Sequence, residues 1–330
     1  MTPFAYSKPT TIERALQQVG PHARFIAGGT NLLDLMKENV EHPAQLIDIT
    51  ALPLRDVTRT SDGGLSIGAL VSNADLAWHP EIESRYPLLA QAILAGASPQ
   101  LRNMASTGGN LLQRTRCHYF YDAAVPCNKR QPGSGCPARD GLNRQHAILG
   151  ASEHCVAVHP SDLCVALAAL EARVQVRGKQ GERHIPFADF HRLPGTTPQR
   201  DNCLGEDELI VAIELPPPRF AGSCRYLKIR DRASYAFALV SVAAALEMDE
   251  QQNVVDMRVA LGGVAHKPWR DPALERSMHG RPATRETWAV FADALLREAR
   301  PLAHNGFKLT LAKNAIIRVL CQAQHGEDQP

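Results

Sequence analysis

Four of the chain's eight cysteines fall between residues 117 and 155, as C-x9-C-x8-C-x18-C: Cys117, Cys127, Cys136 and Cys155. Thiolates bind zinc or iron, and thiols pair as disulfides. The spacing has neither the tight C-x2–4-C knuckles of zinc fingers nor the close cysteine run of ferredoxins. From the residues, three readings stand: structural zinc, an iron–sulfur cluster, or disulfides and unrelated buried thiols. The segment RCHYFYDAAVPCNKRQPGSGCPARDG, rich in Pro and Gly, shows no helical or strand period, so something other than an apolar core must shape it. Cys164, Cys203, Cys224 and Cys321 read as free thiols. The histidines form no H-x-x-H pair. His118, His146, His154 and His159 read as polar surface, with His154, beside Cys155, near enough in sequence to bond a cluster sulfide.

A second kind of chemistry is suggested by two glycine bends. Gly28 and Gly29 stand between the strand FIA and a helix starting near Asn31, and STGGNLL follows at residues 106 to 112. A bend of this kind leaves N–H groups at the positive end of a helix dipole, where an anion can approach. Neither G-x-G-x-x-G nor G-x-x-x-x-G-K-[ST] is present. Alone, each bend reads as a tight structural turn. Together they suggest a diphosphate gripped from two sides, with Thr30, Asn31, Ser106, Thr107 and Asn110 as neutral hydrogen-bonding side chains.

The elements that must position these residues alternate helix and strand. TTIERALQQV is a Thr-capped helix, RFIAGG a strand and NLLDLMKEN a helix; QLIDI and LSIGAL are strands. ADLAWHPEIESRYPLLAQAILAGA reads as one or two helices. HPSDLCVALAALEARVQVRG gives a cap, a helix, then a strand from about Val174. DELIVAIELPPP is a strand stopped by prolines, a plausible domain boundary. SYAFALVSVAAALEMDE and NVVDMRVALGGV read as two strands around a polar turn, with Val255, Met257, Val259 and Leu261 alternating. ETWAVFADALLREA and KLTLAKNAIIRVLCQAQ read as closing helices. The pattern is α+β in three parts: residues 1–55, 56–221 and 222–330.

With 330 residues and 44% hydrophobic composition the chain can bury a sizeable core. Lys plus Arg number 36 against 34 Asp plus Glu, with no like-charge block, which argues against nucleic acid or an anionic membrane as partner. No window approaches the roughly 18 apolar residues of a membrane span, and the N-terminus has no export signal pattern.

FIAGGTNLLDLMK, SPQLRNMASTGGNLLQRTRC, HPSDLCVAL, YLKIRDRASYAFALVSVAAAL and RVALGGVAHKPWR, in this order, resemble the FAD-binding subunit of the molybdenum hydroxylases, the xanthine dehydrogenase and carbon monoxide dehydrogenase family. The resemblance runs nearly end to end. More narrowly, with its cysteine insertion, the chain resembles the iron–sulfur and FAD subunits of bacterial periplasmic aldehyde oxidoreductases. The resemblance implies a vanillyl-alcohol-oxidase (PCMH-type) FAD-binding fold of two α+β subdomains, followed by a C-terminal α+β domain of the CO dehydrogenase flavoprotein type. Ile26, Ala27, Gly28, Gly29, Thr30, Asn31, Leu32 and Leu33, with Ser106, Thr107, Gly108, Gly109 and Asn110, would line the pyrophosphate and ribityl chain of FAD. Asp162, Lys228 and Ile210 match FAD contacts, and Gly96 is a weaker match. From the residues alone, Asp162 could equally cap a helix, and Lys228 could be a solvated charge.

In such relatives an insertion here, at about residues 114–157, carries a [4Fe–4S] cluster on four thiolates, matching Cys117, Cys127, Cys136 and Cys155. Tyr119, Phe120 and Tyr121 would shield it. Arg114, Arg116, Lys129 and Arg130 would offset its charge or be solvated. The implied function is electron transfer without a catalytic acid or base. Electrons would come from a large molybdopterin-binding subunit through a small [2Fe–2S] subunit to FAD, then go to an external acceptor such as a quinone, ferredoxin or NAD. A permanent complex is expected, exported folded to the periplasm on a partner's signal. The alternatives are a stand-alone FAD oxidoreductase and a zinc-stabilised binding module.

Overall fold

The computed structural model describes residues 1–325. Its first sheet is parallel, of β1 (Ala5–Ser7), β2 (Ala23–Ile26) and β3 (Gln45–Asp48), in the order β1-β3-β2. The helix Ile12–Gln18 crosses from β1 to β2, capped by Thr11, whose hydroxyl accepts the Arg14 N–H. The helix Leu32–Lys37 follows β2. Both agree with the apolar spacing.

The second sheet is antiparallel: β4 (Val57–Arg59), β5 (Leu65–Gly68), β6 (Arg173–Gly178), β7 (Gly181–Pro186) and β8 (Leu209–Leu215), ordered β4-β5-β8-β6-β7. Between β5 and β6 lie a set of helices and the cysteine segment. Strand β8 is buried on both faces. Leu209 and Val211 join the core of the first sheet, while Ile210, Ile213 and Leu215 join that of the second. This strand therefore ties the two halves of the cavity wall described below.

Residues 73–95 form three helices, Asn73–Ala77, Pro80–Arg85 and Pro87–Ala95, rather than the expected one or two. Proline disfavours helical geometry in the residue before it and suits the first helical position, so Pro80 and Pro87 each end one helix and open another.

The third sheet is β9 (Cys224–Ile229), β10 (Val240–Met248) and β11 (Val254–Gly262), antiparallel in the order β11-β10-β9. The segment read as a strand from Ser234 begins as one only at Val240; before it runs a loop in which Tyr235 has φ 49°. Alternation divides the sheet between two cores. Ala243, Ala245 and Ala260 pack with the second sheet's core, and Val242, Ala244, Leu246, Met257, Val259 and Leu261 with the closing helices Arg285–Leu295 and Phe307–His325. Val255 departs from the expected alternation: it is exposed, and Val254 is buried instead. A register shift between Glu247 and Met248 moves the strand end by one residue and so reverses the facing.

Candidate functional site

The two glycine bends meet. A Cβ on Gly28 would stand 1.7 Å from the Met104 carbonyl oxygen, and one on Gly108 would stand 2.9 Å from the Ala69 Cβ. Here glycine is needed so that chain segments can touch, before any ligand is considered. Gly29, with φ +72°, also needs its conformational freedom. The bends form one wall of a cavity of about 730 Å³.

Fifteen of the seventeen residues expected at a cofactor border it: Ile26, Ala27, Gly28, Gly29, Thr30, Asn31, Leu32, Gly96, Ser106, Gly108, Gly109, Asn110, Asp162, Ile210 and Lys228. Leu33 and Thr107 are not among the lining residues. Thr107 is fully buried, and its hydroxyl donates to the Val71 carbonyl at 2.9 Å.

The two bends differ in what they offer. In the second, the N–H groups of Thr107, Gly108, Gly109 and Asn110 already donate to Val71 O, Ala69 O, Ser106 Oγ and Ser106 O. That bend contributes wall and side chains, not the free amides expected of it. In the first, Asn31 opens the helix Leu32–Lys37 without a side-chain cap. Its Oδ1 instead accepts the Arg114 N–H at 2.8 Å, and its Nδ2 is buried with no hydrogen-bond partner among the described residues. Arg114 adds a second such donor, Nη2, while its other nitrogens pair with Asp201 and Glu41 at 2.7 Å. Two unsatisfied donors at one cavity wall suit the acceptor oxygens of an anionic ligand.

Asp162 is the first helical residue of Asp162–Ala169, whose cap is Ser161. Its carboxylate accepts from Tyr226 Oη at 2.6 Å and Lys228 Nζ at 2.7 Å. Lys228 is thus a buried, paired cation rather than a solvated one, its side chain only 3% exposed. A Cβ at Gly96 would approach Asp162 Oδ2 to 3.0 Å. Asn110 Oδ1 accepts from both Ser161 Oγ at 2.6 Å and Gln113 Nε2 at 2.7 Å, which fixes the amide at the cavity.

Sequence reasoning assigned no cavity role to Gln113, Tyr235 or Phe237, and gave Arg114 and Arg116 only a charge-offsetting one. All five line the cavity. The signal for Arg114 lay in its place directly after the second bend; for Tyr235 and Phe237, it lay in aromatics inside a stretch too polar at its start for a buried strand.

Beyond Arg114 lies the cysteine segment, joined to the cavity wall by the Arg114 guanidinium stacked 4.9 Å over the Phe120 ring. Cys117, Cys127, Cys136 and Cys155 all line one small pocket with Phe120 and Lys129. Cys136 and Cys155 are free, and a hydrogen bond between their side chains draws Cys136 down and pushes Cys155 up. Among the described residues, the ligand atoms of His159, Cys164 and His191 lie within 4.8 Å of one another.

Hydrogen bonds give the segment much of its shape. Arg130 donates to the carbonyls of Tyr119, Phe120, Asp122 and Val125. Asn128 and Gly135 exchange two bonds of 2.8 Å. Of the expected aromatic shield Phe120 is buried, and Tyr119 and Tyr121 are half-buried. None of the four basic residues is simply solvated: Lys129 and Arg114 meet on Asp201, Arg130 binds the carbonyls above, and Arg116 donates to Tyr121 Oη at 2.8 Å. The pull of Lys129 and Arg114 holds the Asp201 carboxyl down at about 2.

The histidines depart from the surface reading. His118 and His154 are exposed, but His146 and His159 are buried. His146, not His154, reaches a cysteine: its Nε2 lies 3.1 Å from Cys117 Sγ. The His159–Cys164–His191 group is poorly suited to an ion. His159 Nδ1 accepts the Ser161 N–H at 3.4 Å, so the neutral ring carries its proton on Nε2 and offers no lone pair there, while burial pushes the Cys164 thiol up to about 12.

The family described as the FAD binding domain in molybdopterin dehydrogenase matches residues 2–218, and the CO dehydrogenase flavoprotein C-terminal domain matches residues 225–323. The chain is 52% identical to the aldehyde oxidoreductase FAD-binding subunit of Escherichia coli, over 98% of this chain and 99% of that one. It is 26% identical to the carbon monoxide dehydrogenase medium chain of Hydrogenophaga pseudoflava, over 90% and 88%. A solved structure of carbon monoxide dehydrogenase from that organism superposes with a TM-score of 0.75, at 26% identity and 98% coverage of both chains. Among the described residues no helix is long and apolar enough to cross a membrane.

Proposed function

We propose, from the premise that this chain belongs to the family of FAD-binding subunits of molybdopterin dehydrogenases, that it is the FAD- and [4Fe–4S]-carrying electron-transfer subunit of a molybdenum-dependent aldehyde oxidoreductase. The observation that carries the reading is the meeting of the two glycine bends at one cavity wall where Asn31 and Arg114 hold unused donors. FAD, when bound, supplies reversible electron uptake and release. The chain's own residues bind and orient it. Asn31 Nδ2 and Arg114 Nη2 would meet diphosphate oxygens, Asn110 would present a fixed amide, and Ile210 and Ile26 would supply apolar wall. The Asp162–Lys228 pair brings no net charge to the cavity, so it positions rather than attracts.

All four cysteines line one small pocket with Phe120 and Lys129. Four thiolates converging on one pocket are the ligand set of a [4Fe–4S] cluster, and Cys117, Cys127, Cys136 and Cys155 would hold it. Structural zinc takes the same four thiolates, so the metal count below separates the two.

The remaining parts of the proposal are a large molybdopterin-binding subunit, a small [2Fe–2S] subunit, an external acceptor such as a quinone or ferredoxin, and export to the periplasm on a partner's signal. The chain's three parts are 1–55, 56–221 and 222–330. One experiment tests the core: the native complex is analysed for flavin, iron and zinc. Near one FAD per chain is expected, with iron beyond that of the [2Fe–2S] subunit, and Cys127→Ser should lose that extra iron while keeping flavin. Zinc in place of the extra iron, or a flavin-free complex, would sink the reading.

A further inference from the structure

His146 is buried, 3% exposed, with Nε2 at 3.1 Å from Cys117 Sγ. A ligating cysteine is a thiolate and accepts only, so a neutral imidazole facing it must carry its proton on Nε2. The other nitrogen agrees: Nδ1 is buried without a partner, and a bare acceptor is better tolerated there than an orphaned N–H.

The backbone that carries the ring is held from outside the cysteine segment. Asn305 Nδ2 donates to the carbonyls of His146 and Ala147, each at 3.2 Å. Lys308, fully buried at the start of the helix Phe307–His325, donates to the carbonyls of His146 at 2.9 Å, Gln145 at 3.0 Å and Gly263 at 2.8 Å. The His118 and Tyr119 rings flank the imidazole at 5.8 and 6.3 Å. The C-terminal part of the chain thus aims a side chain at a sulfur of the preceding part.

We propose that His146 is a positioning residue whose Nε2–H donates to the Cys117 thiolate and raises the reduction potential of the centre the four cysteines hold, with Lys308 and Asn305 keeping the imidazole on the sulfur. This rests on the [4Fe–4S] reading above. A donor at a ligand sulfur withdraws negative charge, which favours the more electron-rich reduced state.

The test is a potentiometric titration of the native complex, with its partner subunits, followed by the electron paramagnetic resonance of the reduced centre. His146→Leu should move the midpoint to lower potential, while His146→Gln, which keeps an N–H donor, should stay nearer the native value; iron and FAD counts should match in all three. A native midpoint in His146→Leu at full iron overturns the proposal, as does an equal fall in both variants, which would mark shape rather than hydrogen bonding. Should the Leu variant lose iron, the native complex labelled with ¹⁵N-histidine decides: a histidine ¹⁵N coupling to the reduced centre, lost in His146→Gln, supports the donor, and its absence overturns it. A native complex with no four-iron signal removes the underlying reading itself, an outcome distinct from an unshifted midpoint.

Discussion

Asp162 and Lys228 illustrate how a buried charge pair behaves at a binding wall. Removing one partner strands the other in low dielectric, which costs about 3–5 kcal/mol, whereas replacing both with apolar groups is often close to neutral. Asp162→Leu and Lys228→Met should therefore each lower the melting temperature and release flavin, while the double variant melts above either single one; additive losses would show that the pair is not coupled. Asp201 makes a pH-dependent contribution. Its folded carboxyl, held at about 2 against an ordinary 3.8, stabilises the fold above the unfolded value, by about 2 kcal/mol at neutral pH. That contribution is lost as pH falls through 4 toward 2. The difference in unfolding free energy between the native chain and Asp201→Asn should be full at pH 6 and shrink in that window, and a difference that does not change with pH would refute the assignment.

Among the elements, the contact between bends is the most exposed to a small change. The Gly28→Ala methyl would fall 1.7 Å from the Met104 carbonyl, so the bend must shift and the wall open. The expected result is loss of most bound flavin and a clearly lower melting temperature. Gly20→Ala, where a Cβ meets nothing within 4 Å, is the control and should be close to neutral in both measurements. Legibility in the sequence also varied by element. The helices and strands with clean apolar periods appear where their spacing puts them, down to the Thr11 cap. The three-helix stretch differed because a residue's neighbour, proline, overrides its own helical preference. Val255 differed because a register shift depends on the partner strand.

At the scale of the whole molecule, the third sheet is a shared wall. Its Ala243, Ala245 and Ala260 face completes the core of the preceding part, and its opposite face is covered by the last two helices. A chain ending at residue 221 loses that wall and leaves the helices Pro87–Ala95 and Asp162–Ala169 exposed on one side. Expressed alone, it should fail to give a soluble, cooperatively melting protein; a sharp thermal transition and flavin binding in residues 1–221 would contradict this. The Lys308 and Asn305 bonds to the cysteine segment point the same way, because they cross between the same two parts.

The sequence by itself determined the α+β class, the family, the two glycine bends and the cysteine set, since local periodicity, turn chemistry and motif order are written in neighbouring residues. Tertiary structure alone decided what those residues do. It put Gly28 against a carbonyl, spent the amides of the second bend internally, paired Lys228 with Asp162, and turned His146 rather than His154 toward a sulfur. Each of these depends on contacts between residues far apart in the chain, where burial and hydrogen-bond satisfaction, not local preference, set the outcome.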